Sequence, residues 1–101
     1  MMTYRLRRFR EPPLVFEGEL IAEVTTKHPD RERWTELRVY VTRSGTYVAE
    51  EVGRSLAYGE SDRCGAFICR TQRDVERELG DGRLARELYT VAGFRGVERV
   101  D

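Results

Sequence analysis

At 101 residues the chain has room for one domain with one modest core. It is 40% apolar and 36% charged, and its apolar residues recur periodically, which excludes a disordered polar tract. Its 18 basic and 18 acidic groups cancel, unlike the basic balance of most polyanion-binding domains, and no apolar run approaches a membrane span.

The charge is unevenly placed. Residues 1–10 carry Arg5, Arg7, Arg8 and Arg10 and no acid, while the remaining 14 basic groups face all 18 acids. Residues 1–13 therefore read as a basic N-terminal arm or an edge strand, and 14–101 as a single α+β domain. The Arg-rich start lacks the apolar stretch of a signal peptide, so a cytoplasmic location is expected.

After Pro12 and Pro13, "LVFEGELIAEV" alternates with a period of two. Leu14, Phe16, Gly18, Leu20, Ala22 and Val24 fall on one face, and Glu17, Glu19 and Glu23 on the other. Pro29 then breaks the chain into a loop. The stretch from Arg33 to Tyr58 reads as a hairpin in which Leu37, Val39 and Val41 share the buried face. A two-residue turn at Ser44–Gly45 would pair Val41 with Val48, Val39 with Glu50, Leu37 with Val52 and Arg38 with Glu51. That register sends Glu50 and Arg54 toward the core, and a bulge near Glu50–Glu51, where Gly53 marks an irregular strand, is expected to return both to water, because glutamate is so seldom buried.

"CGAFIC", residues 64–69, reads as a short buried strand. Thr71 is placed as a helix N-cap with Asp74 at its third helical position, and Gly80 as the stop. Asp81 is expected to cap a second helix with Leu84, Leu88 and Val91 along its apolar edge and Gly93 at its end. The fold class is thus α+β: an antiparallel sheet of three or four strands followed by two short C-terminal helices packed on one face.

Catalytic signatures are thin. Cys64 and Cys69 lie five residues apart, so an extended strand would point them to opposite faces and forbid a disulfide. With His28 they still fall short of the four ligands a structural zinc site needs, so no metal is expected. His28 stands in a polar loop without an oriented partner. Ser44, Ser55 and Ser61 occupy no nucleophile-elbow context, and "GDG" at 80–82 is a connection between helices. No catalytic residue and no cofactor are expected.

The second strand offers a different feature. Alternation places Trp34, Arg38 and Tyr40 on the face opposite Leu37, Val39 and Val41, and Trp, Tyr and Arg are the residues enriched in interface hot spots. The function expected from these residues is that of a small non-enzymatic protein-interaction module, regulatory or accessory. Its charged, aromatic sheet face would bind another protein or a second copy of the chain. The alternative is a nucleic-acid-binding regulator. Arg5, Arg7, Arg8 and Arg10 would then pair with phosphates while Tyr4 and Phe9 stack on bases. An enzyme ranks third.

Overall fold

The structure is a computed structural model and describes residues 1–94. Five strands, β1 (Met2–Arg8), β2 (Glu11–Thr25), β3 (Arg33–Thr42), β4 (Tyr47–Ser55) and β5 (Arg63–Cys69), form one antiparallel sheet in chain order. Helices α1 (Gln72–Leu79) and α2 (Arg83–Ala92) follow. The expected α+β architecture holds, with five strands in place of three or four. The additional strand is β1, in which Tyr4 and Leu6 alternate with the arginines and pair with Phe16 and Leu14. Among the described residues no helix is long and apolar enough to cross a membrane.

Strand β2 is where the sheet changes direction. Its register with β1 shifts at Pro12 and Pro13, which lack the N–H a regular ladder would use. A second shift, at Ile21, separates the Leu20–Tyr40 pair from the Ala22–Val39 pair. The extra residue reverses the alternation, so Leu14 and Phe16 face one side of the sheet while Ala22 and Val24 face the other. The single apolar face expected for residues 14–24 is therefore two faces joined at a bulge.

Two apolar clusters result. Beneath the helices, Ala22, Val24, Leu37, Val39, Ala49 and Cys69 pack against Val75, Ala85, Leu88, Tyr89 and Phe94. On the opposite face, the hairpin of β1 and the first half of β2 folds over Tyr40, Val48 and Ala66. It brings Leu6, with Tyr4, Leu14 and Phe16 around it. The rings of Tyr4 and Phe16 lie 4.7 and 5.3 Å from that of Tyr40. At the hairpin's tip the Phe9 N–H donates to the Cys64 carbonyl at 2.9 Å, tying it to β5.

Gly18 is the pivot of this fold-over, since it pairs with Met2 on one side and Thr42 on the other. A Cβ there would stand 2.3 Å from the Val41 carbonyl oxygen, a backbone atom with no rotamer to yield. Gly18→Ala should therefore destabilise the protein by ~1–3 kcal/mol in urea unfolding, the usual cost of overpacking. An unchanged midpoint would show that the hairpin is not held at this contact.

The β3–β4 connection differs from the expected two-residue turn. Thr42 and Thr46 close it, with the Thr42 N–H donating to the Thr46 carbonyl at 2.8 Å, and Gly45 takes a φ of 88° within the loop. The wider loop shifts the register by one residue, setting Arg38 opposite Glu50, Val39 opposite Ala49 and Leu37 opposite Glu51.

Helix α1 begins as expected, with the Thr71 hydroxyl accepting from the Asp74 N–H at 3.1 Å, and ends at Gly80. Helix α2 departs from expectation at its start. Gly82, not Asp81, is its N-cap, and no side chain caps it. Its buried face is Ala85, Leu88 and Tyr89, whereas Val91 is 57% exposed. Gly93 closes it with a φ of 77°, and the buried Phe94 packs behind.

Candidate functional site

The outer side of β3 carries Trp34, Glu36, Arg38 and Tyr40 in alternation, beside Val48, Glu50, Val52 and Arg54 of β4. Glu50 is only 7% exposed. The β3–β4 ladder runs without a shift, so the bulge expected to release Glu50 to water does not form. The carboxylate is satisfied in place: the Tyr40 hydroxyl donates to its Oε1 at 2.8 Å and Arg38 Nη1 at 3.3 Å. Arg38 also donates through Nε to Glu23 and through Nη2 to Glu36 at 2.6 Å. One guanidinium thus bridges carboxylates from three adjacent strands.

The chain of charges continues outward. Glu36 accepts from the Trp34 indole at 2.8 Å and pairs with Arg54 at 3.2 Å, and Arg54 reaches Asp62 at 3.1 Å. Burial alone would lower the pKa of Arg38, but the Glu23 and Glu36 hydrogen bonds and the Glu50 charge hold it above the ordinary arginine value. Burial would likewise raise Glu36, but the Trp34 indole, Arg38 and Arg54 keep its carboxyl below the usual range. Burial and the neighbouring Glu50 push Tyr40 well above its ordinary value. Among the described residues no buried side-chain N or O atom lacks a hydrogen-bond partner. With its donors occupied, this row fixes strand pairing and is poorly suited to carry a proton.

Beyond the row lies an open groove of about 830 Å³, where the ends of β3 and β4 and the start of β5 meet the tip of the β1–β2 hairpin. Phe9, Arg33, Trp34, Arg54, Asp62 and Arg63 are among its lining residues. Lys27 places its ammonium 5.1 Å from the centre of the Trp34 ring, and the Arg10 guanidinium lies 5.0 Å from that of Phe9. A second recess, of about 530 Å³, is bordered by Phe9, Glu51, Gly53, Arg63, Cys64 and Gly65. Phe9 borders both recesses and is 71% exposed.

The rim is held by local pairing. Glu60 accepts from Arg33 at 2.8 and 2.5 Å and from the Ser55 hydroxyl at 2.6 Å. These bonds draw its carboxyl down to about 2. The Ser55 backbone N–H, with Arg54, holds Asp62 below its ordinary value. Among the described residues, no carboxylate pairs with Lys27, Arg7, Arg10 or Arg63 within salt-bridge distance.

The expected partner-binding residues separate. Trp34 reaches the groove, Arg38 is consumed by the carboxylates, and Tyr40 is 4% exposed beneath Tyr4 and Phe16 of its own chain. The expected nucleic-acid contacts do not form one stripe either. Arg8 is held by Glu11 at 3.1 Å and by the Pro12 carbonyl, and Arg5, opposite Val15, lies on the hairpin's outer side. Arg7 places Nη2 4.0 Å from the Cys64 sulfur, and Arg10 sits over Phe9. Phe9, expected from the sequence only as a ring that stacks on bases, stands exposed at the groove. It breaks the phase of Tyr4 and Leu6, which is the signal that marks it as leaving the strand.

Cys64 and Cys69 do lie on opposite faces, Cys69 in the core under the helices and Cys64 half-buried beside Arg7. Burial pushes the Cys69 thiol up to about 11. His28 is exposed and stands 3.6 Å from Asp30. Among the described residues no group of three His, Cys, Asp or Glu side chains is arranged to hold a metal ion. No protein-family model, curated protein or solved structure matches the chain.

Proposed function

We propose that this protein is a non-enzymatic interaction module that binds a protein partner in the groove between Phe9 and Trp34. The observation that carries this reading is the contrast among the hairpin's aromatics. Tyr4 and Phe16 pack onto the sheet, whereas Phe9, from the same hairpin, stands 71% exposed between two recesses. An exposed aromatic beside unfilled concave surface, ringed by arginines, has the composition of an interface hot spot. The reading shifts the partner surface from the Trp34–Arg38–Tyr40 row to the groove at its end, keeping Trp34.

The alternative nucleic-acid reading draws support from Arg5, Arg7 and Arg10, which have no carboxylate within salt-bridge distance among the described residues. It predicts binding that weakens steeply with salt. Phe9→Ala is the decisive variant. Its unfolding free energy should change by no more than ~0.5 kcal/mol, as for an exposed position. Association with a stoichiometric protein partner, recovered from nuclease-treated host extract, should weaken by ~2 kcal/mol or more in titration calorimetry. Equal affinity in Phe9→Ala and the parent chain would remove the groove from consideration.

A further inference from the structure

We infer that the groove's partner is an extended acidic peptide segment carrying an aromatic or aliphatic anchor. This rests on the groove being the partner seat and adds the chemistry of what occupies it. Phe9 supplies the apolar contact, and the floor beside it is low because Gly53 borders both recesses. Gly53 leaves β4 without a side chain at that point, so a ligand side chain can lie close against the strand.

Charge selects the ligand class. The acids that line the larger groove, Glu60 and Asp62, are each bound to an arginine of their own chain. Lys27, Arg7, Arg10 and Arg63, on or beside the groove, have no such partner among the described residues. In the larger groove Arg33, Arg54 and Arg63 outnumber Glu60 and Asp62, and Lys27 and Arg10 flank its two aromatics, so its charge balance is positive and favours carboxylates on the ligand. Arginine forks pair with carboxylates in a fixed geometry, which gives direction as well as attraction.

A phosphate backbone is the competing polyanion. Glu60 and Asp62 disfavour it, because they already occupy Arg33 and Arg54 and so interrupt the row of cations that an unbroken row of phosphates would need. Glu51, on the smaller recess and without an ion pair among the described residues, would repel a phosphate chain running on past Arg63. A peptide escapes the difficulty by carrying its acids only where the cations are, with its apolar residue against Phe9.

The test is selection from a random-peptide display library on the full chain, followed by affinity measurement of the selected peptides. Sequences enriched in Asp or Glu next to an aromatic or aliphatic residue are expected. Their affinity should fall about tenfold or more in Arg63→Glu and in Phe9→Ala, with melting temperatures unchanged. Selected peptides without acidic bias that still depend on Phe9 would overturn the charge assignment and leave the groove reading standing. Binding indifferent to Phe9, or no selection at all, would overturn both. Tighter binding of a thymidine homopolymer, displacing the peptides, would overturn the peptide in favour of single-stranded nucleic acid.

Discussion

Replacing Leu88 with alanine should lower the unfolding free energy by ~2–5 kcal/mol, a large share of the total stability of a domain this size. Leu88 has no exposed surface and sits in the cluster that joins α2 to β2, β3 and β4 through Ala22, Val39 and Ala49. Val75 of α1 enters the same cluster, so the cavity left behind would loosen both helices from the sheet. The neighbours are mostly small residues already in contact, and a sheet cannot move inward to refill the space. Val91→Ala on the same helix is the control. It is 57% exposed and should cost no more than ~0.5 kcal/mol. A Leu88→Ala loss below about 1 kcal/mol in urea titration would mean that the helices are peripheral to stability.

Leu88 was legible in the sequence, whereas its partner at position 91 was not, and the difference is physical. A stripe drawn at i, i+4 and i+7 fits α2 equally well with Val91 or with Ala85, Tyr89 and Ala92. The register chosen depends on the sheet beneath, which a helix pattern does not contain. The β3 and β4 strands and the Thr71 cap were legible because their signals are local: alternation, turn residues and a hydroxyl three residues before an acid. The turn at Ser44–Gly45 was located but not sized, and one residue of loop length moved Arg38 from Glu51 to Glu50. The Ile21 bulge left no local mark, since both sides of it alternate correctly. Tyr40 is expected on an exposed face because alternation along residues 1–24 does not show that β1 and the first half of β2 fold back over β3. The groove arises from that same fold-over, and long-range packing of this kind is not written in any short window.

The ion cluster makes the sharpest demand on the structure. Arg38→Met keeps the apolar stem of the side chain but leaves Glu23, Glu36 and Glu50 without their shared cation. Glu36 keeps Arg54 at 3.2 Å and Glu50 keeps only the Tyr40 hydroxyl. Stranding a buried carboxylate in this way typically costs ~3–5 kcal/mol. The partial exposure of Glu23 argues for the lower end, ~3 kcal/mol near neutral pH. The pH dependence then separates lost charge pairing from lost packing. In the parent chain, Glu36, Asp62 and Glu60 have depressed pKa values, Glu60 reaching about 2. Their contribution is present above the ordinary carboxylate value of 4.5 for glutamate and is lost as pH falls toward 2. In Arg38→Met, Glu36 loses the hydrogen bond and the charge of Arg38, part of what holds its carboxyl down, while its burial stays, so its folded-state value moves back up toward the unfolded one. The variant therefore has less carboxylate-linked stability to lose in acid than the parent chain. Lowering the pH from ~5 toward ~2 should therefore narrow the gap between the urea midpoints of the parent chain and Arg38→Met. A variant whose stability runs parallel to the parent's over this interval would show that Arg38 contributes packing alone, and that Glu50 is kept buried by Tyr40 without it.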